Sequence, residues 1–130
     1  MVRIFLSVVV GYTLWTLLWL TGSLGIQAGW SDAFAAFQDG QPITAAAPLL
    51  LSLLLSVVCS LAGGWSAAAV SQGSRPAVGV LAGLLLLTGV GVQASSWALM
   101  PVWYHLTFLA LLVPVTLLGA ARRAPAPVPA

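Results

Sequence analysis

The stretch PLLLSLLLSVVCSLAGGWSAAAV (residues 48–70), the connector SQGSR (71–75) and the stretch PAVGVLAGLLLLTGVGVQASS (76–96) decide the fold. Each long piece exceeds twenty residues without a charge, and a helix crossing a hydrocarbon core of roughly 30 Å needs about 20 mostly apolar residues. Strands do not fit. An open strand in lipid leaves its backbone N–H and C=O groups unpaired, and a barrel strand alternates, whereas Leu49-Leu50-Leu51 and Leu84-Leu85-Leu86-Leu87 do not. Pro48 and Pro76 each open a stretch at a position where a first helical turn has no N–H bond to lose. Two helices joined by about five residues must run antiparallel.

Outward from this pair, two further apolar runs appear, Ile4 to about Leu24 behind Arg3, and Pro101 to about Ala121. The expectation is an all-α, four-transmembrane-helix antiparallel bundle occupying residues 1–123, with helices at about 4–24, 48–70, 76–96 and 101–121. Pro114 lies inside the last run and is expected to kink it, freeing the Ala110 carbonyl. The tail 124–130, Ala-Pro-Ala-Pro-Val-Pro-Ala, reads as extended and disordered. The first run also resembles a signal peptide, with Ser23-Leu24-Gly25 as a small-x-small site. It is longer than the usual apolar region of about 7–15 residues and carries Trp15 and Trp19, so a retained helix is expected.

Composition sets the environment. The 130 residues are 61% hydrophobic and 5% charged, four Arg against two Asp, which excludes an ordinary soluble globule carrying roughly 25% charge. The basic residues are too few and too scattered for a nucleic-acid face, so no nucleic-acid partner is expected. With four spans, Arg3, Arg75, Arg122 and Arg123 fall on one side, and Asp32 and Asp39 on the other. The positive-inside rule then places both termini in the cytoplasm. Between the first two spans, 31–37 reads as a short capped helix. Ser31 or Asp32 would cap it, and with Trp30 it would lie at the outer interface with Phe34 and Phe37 facing the lipid.

Helix contacts in membranes rely on small residues that let backbones approach. The second span has Ser52, Ser56, Ser60, Gly64 and Ala68 at intervals of four, and the third has Gly79, Gly83, Gly91 and Ser95 in one register, interrupted only by Leu87. These rows are expected to face each other or another copy of the chain, with Leu54 and Leu85 on the lipid side. Reactive groups are scarce. No ionisable side chain lies deep in any span, which argues against proton relays and metalloenzymes, and no nucleophile–base pair is evident. Cys59 is expected to be a packing residue. The one constellation of interest is Trp97 with Trp103, Tyr104 and His105, expected to form an interfacial belt together with Trp30. His105 is the only candidate ligand for a pigment or haem, and Gln93 lies one turn below Trp97 in the same layer.

Ala62-Gly63-Gly64-Trp65-Ser66-Ala67-Ala68, Gly83 through Gly89, and Pro101-Val102-Trp103-Tyr104-His105 followed by Pro114 and Leu117-Leu118-Gly119 resemble a group of small four-helix bacterial inner-membrane proteins without assigned activity. The likeness covers about the last two-thirds of the chain. It implies a topology and carries over no catalytic residue. The expected role is that of a structural or accessory subunit of an inner-membrane assembly, or a homo-oligomer, without catalysis or cofactor. Its partners would be the bilayer and other membrane subunits. The alternatives are a channel or carrier for a neutral or lipid-like solute, lined by Ser52, Ser56, Ser60 and Thr88, and a pigment- or haem-binding subunit working through His105.

Overall fold

A computed structural model describes residues 1–123; the expected disordered tail lies outside them. Five α-helices follow in order, α1 (Val2–Gly29), α2 (Ser31–Gln38), α3 (Ala46–Ser71), α4 (Arg75–Ser95) and α5 (Val102–Ala121), with one 3-10 turn at Trp97–Leu99. Four of them, α1, α3, α4 and α5, are long and apolar enough to cross a membrane. The described residues contain no strand. The chain is a multi-pass membrane protein of all-helical class.

The short α2 differs from expectation in detail. α1 continues to Gly29, and Trp30 closes it by donating its N–H to Ile26 and Gln27 carbonyls. No side chain caps α2; its N-cap is Trp30, whose carbonyl accepts from Phe34 N–H at 3.1 Å. Phe34 and Phe37 pack partly buried against the core cluster of the bundle. α5 remains helical through Pro114.

The bundle is organised around α3, and two adjacent glycines explain how. Successive residues on a helix point about 100° apart, so Gly63 and Gly64 serve different neighbours. A Cβ on Gly63 would stand 3.2 Å from the Gly11 carbonyl oxygen of α1, and a Cβ on Gly11 would stand 3.0 Å from the Gly63 oxygen. On the other side, a Cβ on Gly64 would strike the Thr116 carbonyl oxygen of α5, and one on Gly119 would stand 2.7 Å from Leu61 Cα. Both seams therefore bring backbone against backbone, the geometry small residues make possible in lipid.

Polar pins hold α1 to two of its neighbours. Trp15 Nε1 donates to Ser60 Oγ at 3.1 Å, joining α1 to α3, and Tyr12 and Thr88 hydroxyls bond at 2.8 Å, joining α1 to α4. Trp15 stacks on Trp19 at 5.7 Å, and Trp19 meets Phe108 edge-on at 5.4 Å. Cys59 is buried in this core as a free thiol.

The arginine end is tied by capping. Gln72 takes a left-handed conformation (φ 58°) ahead of Gly73 (φ 82°), whose N–H donates to the Ala68 carbonyl at 2.8 Å. Arg3 Nη1 donates to Gln72 Oε1 at 2.8 Å. Arg123 Nη1 donates to the Ala69 carbonyl at 2.8 Å and also to that of Ala68. The guanidinium thus adds to the backbone bonds that already reach Ala68 and supplies a partner for Ala69 in the last turn of α3. A cation there also suits the negative end of the helix dipole.

Candidate functional site

Two features stand apart from ordinary packing, and both depend on α4. The first is a polar cluster at the end opposite the arginines. The connector between α4 and α5 turns through Trp97–Leu99, and the buried Ile43 donates its N–H to the Leu99 carbonyl at 2.8 Å, pinning the loop before α3 across it. This lid closes over the first turn of α5 and buries His105 completely. The ring stacks on Trp97 at 4.5 Å, its Nε2 donates to the Trp97 carbonyl at 3.1 Å, and its Nδ1 meets the side-chain amide of Gln93. The Gln93 amide and the Trp97 carbonyl together occupy both ring nitrogens.

Sequence reasoning placed Tyr104 and His105 with Trp30, Trp97 and Trp103 in an interfacial aromatic belt. The structure corrects this. Only the faces of Trp97 and Trp103 are open, Trp30 is half-buried, and Tyr104 turns inward onto Phe108 with its ring centroid 6.1 Å away. Burial of these groups follows from the cross-chain pin at Ile43, which has no sequence signal. Both nitrogens of His105 are engaged, so a metal or haem iron would have to displace Gln93 or the Trp97 carbonyl to bind it. The described residues contain no group of three or more His, Cys, Asp or Glu side chains able to hold a metal ion.

The second feature is the outward face of α4. Its buried residues include Ala77, Leu81, Leu85, Gly89 and Gln93, again at intervals of four. The row Gly79, Gly83 and Gly91 is offset from these by two positions, roughly 200° around the helix, and all three glycines are exposed. A Cβ on any of them would meet nothing within 4 Å. The α4 row therefore does not face the α3 row. Leu85, expected toward lipid, is fully buried instead, while Leu54 is exposed.

In the α3 row, Ser56, Ser60, Gly64 and Ala68 are buried and Ser52 is half-buried. Its hydroxyls are committed. Ser52 donates to the Pro48 carbonyl, Ser56 to that of Leu53, both at 2.8 Å, and Ser60 accepts from Trp15. Thr88 donates to the Leu84 carbonyl at 2.9 Å besides bonding Tyr12. Gly64, which makes the tightest approach, was in the expected row, whereas Gly11, Gly63 and Gly119, which also meet a neighbouring backbone, were outside it. The signal for Gly63 was its adjacency to Gly64 rather than a long repeat.

Neither a protein-family model nor a curated protein nor a solved structure matches the chain.

Proposed function

We propose that this chain is a non-catalytic accessory or structural subunit of a bacterial cytoplasmic membrane, which acts by offering the outward face of α4 to a partner helix. The partner is a second copy or another membrane subunit. The arginines at one end support a topology with both termini in the cytoplasm and α2 at the outer interface. A reporter fused after Ala130 tests that placement: cytoplasmic reporter activity agrees with it, and activity outside the cell overturns it.

The observation that carries the reading is the sorting of the glycines. Those at Gly11, Gly63, Gly64 and Gly119 are required by a neighbouring backbone, whereas Gly79, Gly83 and Gly91 have open space. A glycine inside a helix costs about 0.5–1 kcal/mol relative to alanine. Three on one face with no internal use therefore forgo roughly 1.5–3 kcal/mol, which the close approach of another helix would recover. The bonded hydroxyls of Ser52, Ser56, Ser60 and Thr88 favour packing over a solute path.

The test is association in a mild detergent or in nanodiscs, followed by energy transfer between labelled copies and by co-purification from native membranes. Gly83→Leu should weaken association at least tenfold while the monomer keeps its fold. Unchanged association in Gly83→Leu and Gly79→Leu would remove the proposal.

A further inference from the structure

At the aspartate end, a cavity of about 330 Å³ lies between the ends of α1 and α4 with α2 across it. Its walls are of two kinds. Trp19, Phe34 and Phe37 contribute aromatic surface, while Ser23, Ser52 and Tyr104 contribute hydroxyls from three different helices. None of the residues lining it carries a formal charge. On the membrane side its rim includes Leu20 and Val92, both exposed on the exterior of the bundle.

The hydrogen-bonding sense of the wall is selective. Ser52 donates its proton to the Pro48 carbonyl, and Ser95 and Ser96 both donate theirs to the carbonyl of Val92, at 2.8, 2.6 and 3.2 Å respectively. Each hydroxyl oxygen then has only lone pairs left to offer the cavity. Gln27 and the hydroxyls of Ser23 and Tyr104, also in the wall, can donate as well. The lining therefore suits a head that both gives and accepts hydrogen bonds, as a hydroxyl does. A ligand without donors would leave the three serine oxygens unmatched. Charge is disfavoured, because nothing in the wall would repay its desolvation. The volume accommodates about ten water-sized groups at roughly 30 Å³ each, enough for a polar head and its first carbons. A longer tail must leave between Leu20 and Val92 into the lipid.

We propose that this cavity binds the head of an uncharged, hydroxyl-bearing amphiphile. Two sources share that chemistry, an acylglycerol with a free hydroxyl and a long-chain prenyl alcohol. Gly83 does not line this cavity, and Gly83→Leu should leave it intact.

The experiment is native mass spectrometry of the full chain released from micelles, titrated separately with 1,2-dioctanoylglycerol, farnesol, trioctanoylglycerol and dioctanoylphosphatidylglycerol. One equivalent of dioctanoylglycerol or farnesol should be retained, and whichever binds more tightly identifies the source. Trioctanoylglycerol, which has the same apolar body without a donor, should bind at least tenfold more weakly, and so should the anionic lipid. Ser23→Phe, which places a ring in the cavity, should abolish the adduct. Ser52→Ala removes one acceptor and should weaken binding about fivefold. It also keeps the test valid should Ser23→Phe fail to fold. Leu87→Phe, on the exterior, should change nothing. Equal retention of trioctanoylglycerol or of the anionic lipid would overturn the proposal. So would an adduct that survives in folded Ser23→Phe, wild-type binding in Ser52→Ala, or no adduct with either alcohol.

Discussion

Adding one methyl group at Gly64 and one at Gly83 should have opposite consequences. A Cβ at Gly64 would overlap the Thr116 carbonyl oxygen and stand 2.9 Å from its carbon and 3.1 Å from Ala120 N. All three are backbone atoms inside α5, so no side-chain rotation relieves the collision. α3 and α5 must instead separate along a seam where Gly119 already presses on Leu61. Overpacking of this sort costs about 1–3 kcal/mol, and the separation also forfeits dispersion contacts on both sides. The gain in helix propensity from glycine to alanine, at most about 1 kcal/mol, offsets part of that. The net expectation for Gly64→Ala is a loss of about 2 kcal/mol, or roughly thirtyfold in the folding equilibrium. Gly83→Ala meets no atom within 4 Å and should be neutral or slightly stabilising. Reversible unfolding in mixed micelles, driven by rising dodecyl sulfate and followed by tryptophan fluorescence, measures both. Gly119→Ala should resemble Gly64→Ala, and the double variant should cost less than the sum, because the first methyl has already opened the seam. Equal midpoints for Gly64→Ala and Gly83→Ala would refute the assignment of α3 as the central helix.

His105→Phe should destabilise the monomer by about 3 kcal/mol, because it strands the Gln93 amide and the Trp97 carbonyl in a buried layer. Adding Gln93→Leu should recover part of that loss, and strictly additive unfolding energies would contradict the pairing. Trp15→Phe and Ser60→Ala should each weaken the α1–α3 seam, with a coupling of about 0.5–1 kcal/mol in a double-mutant cycle; zero coupling would mean the indole bond contributes nothing. Arg123→Ala uncovers the Ala68 and Ala69 carbonyls, so amide exchange around Val70 to Gly73 should accelerate several-fold, while exchange at Leu53 stays unchanged.

The four spans were legible because hydropathy summed over twenty residues outweighs every local signal, and the all-helical class follows from backbone satisfaction in lipid. Boundaries were less legible. Gly25 and Gly29 mark a loop by composition, yet α1 runs through both, since extending a formed helix gains one hydrogen bond per residue and only Trp30 interrupts it. The capping expected of Ser31 and Asp32 failed for the same reason: α2 begins one residue after α1 ends, and the Trp30 carbonyl already supplies the first bond. At the candidate site, the short spacing of Gln93, Trp97 and His105 placed them in one layer. Their burial depends on Ile43, more than fifty residues away, reaching the Leu99 carbonyl.

Which small row meets which helix is a question of three dimensions, and α4 shows why spacing alone leaves it open. Its two rows, one containing Ala77, Leu81, Leu85 and Gly89 and the other Gly79, Gly83 and Gly91, share the same interval of four and lie on opposite faces. Only the outer row contains a small-xxx-small pair, Gly79 with Gly83, so that search selects the face the bundle itself leaves open. What separates the rows is bulk. The inner row places two leucines between Ala77 and Gly89, and they fill the spaces beside α1 and α5: Leu81 reaches Gly11, and Gly89 admits Leu109 and Leu112. The outer row has Leu87 in place of one glycine, 71% exposed, and nothing against it. A face selected only for exposure to lipid would gain helix propensity by replacing its glycines with leucine or alanine, and the neighbouring Leu84, Leu86 and Leu87 show that such residues are accepted on this helix. Gly79, Gly83 and Gly91 therefore leave a smooth, unoccupied strip on α4, and this is the surface that the proposed partner helix would use.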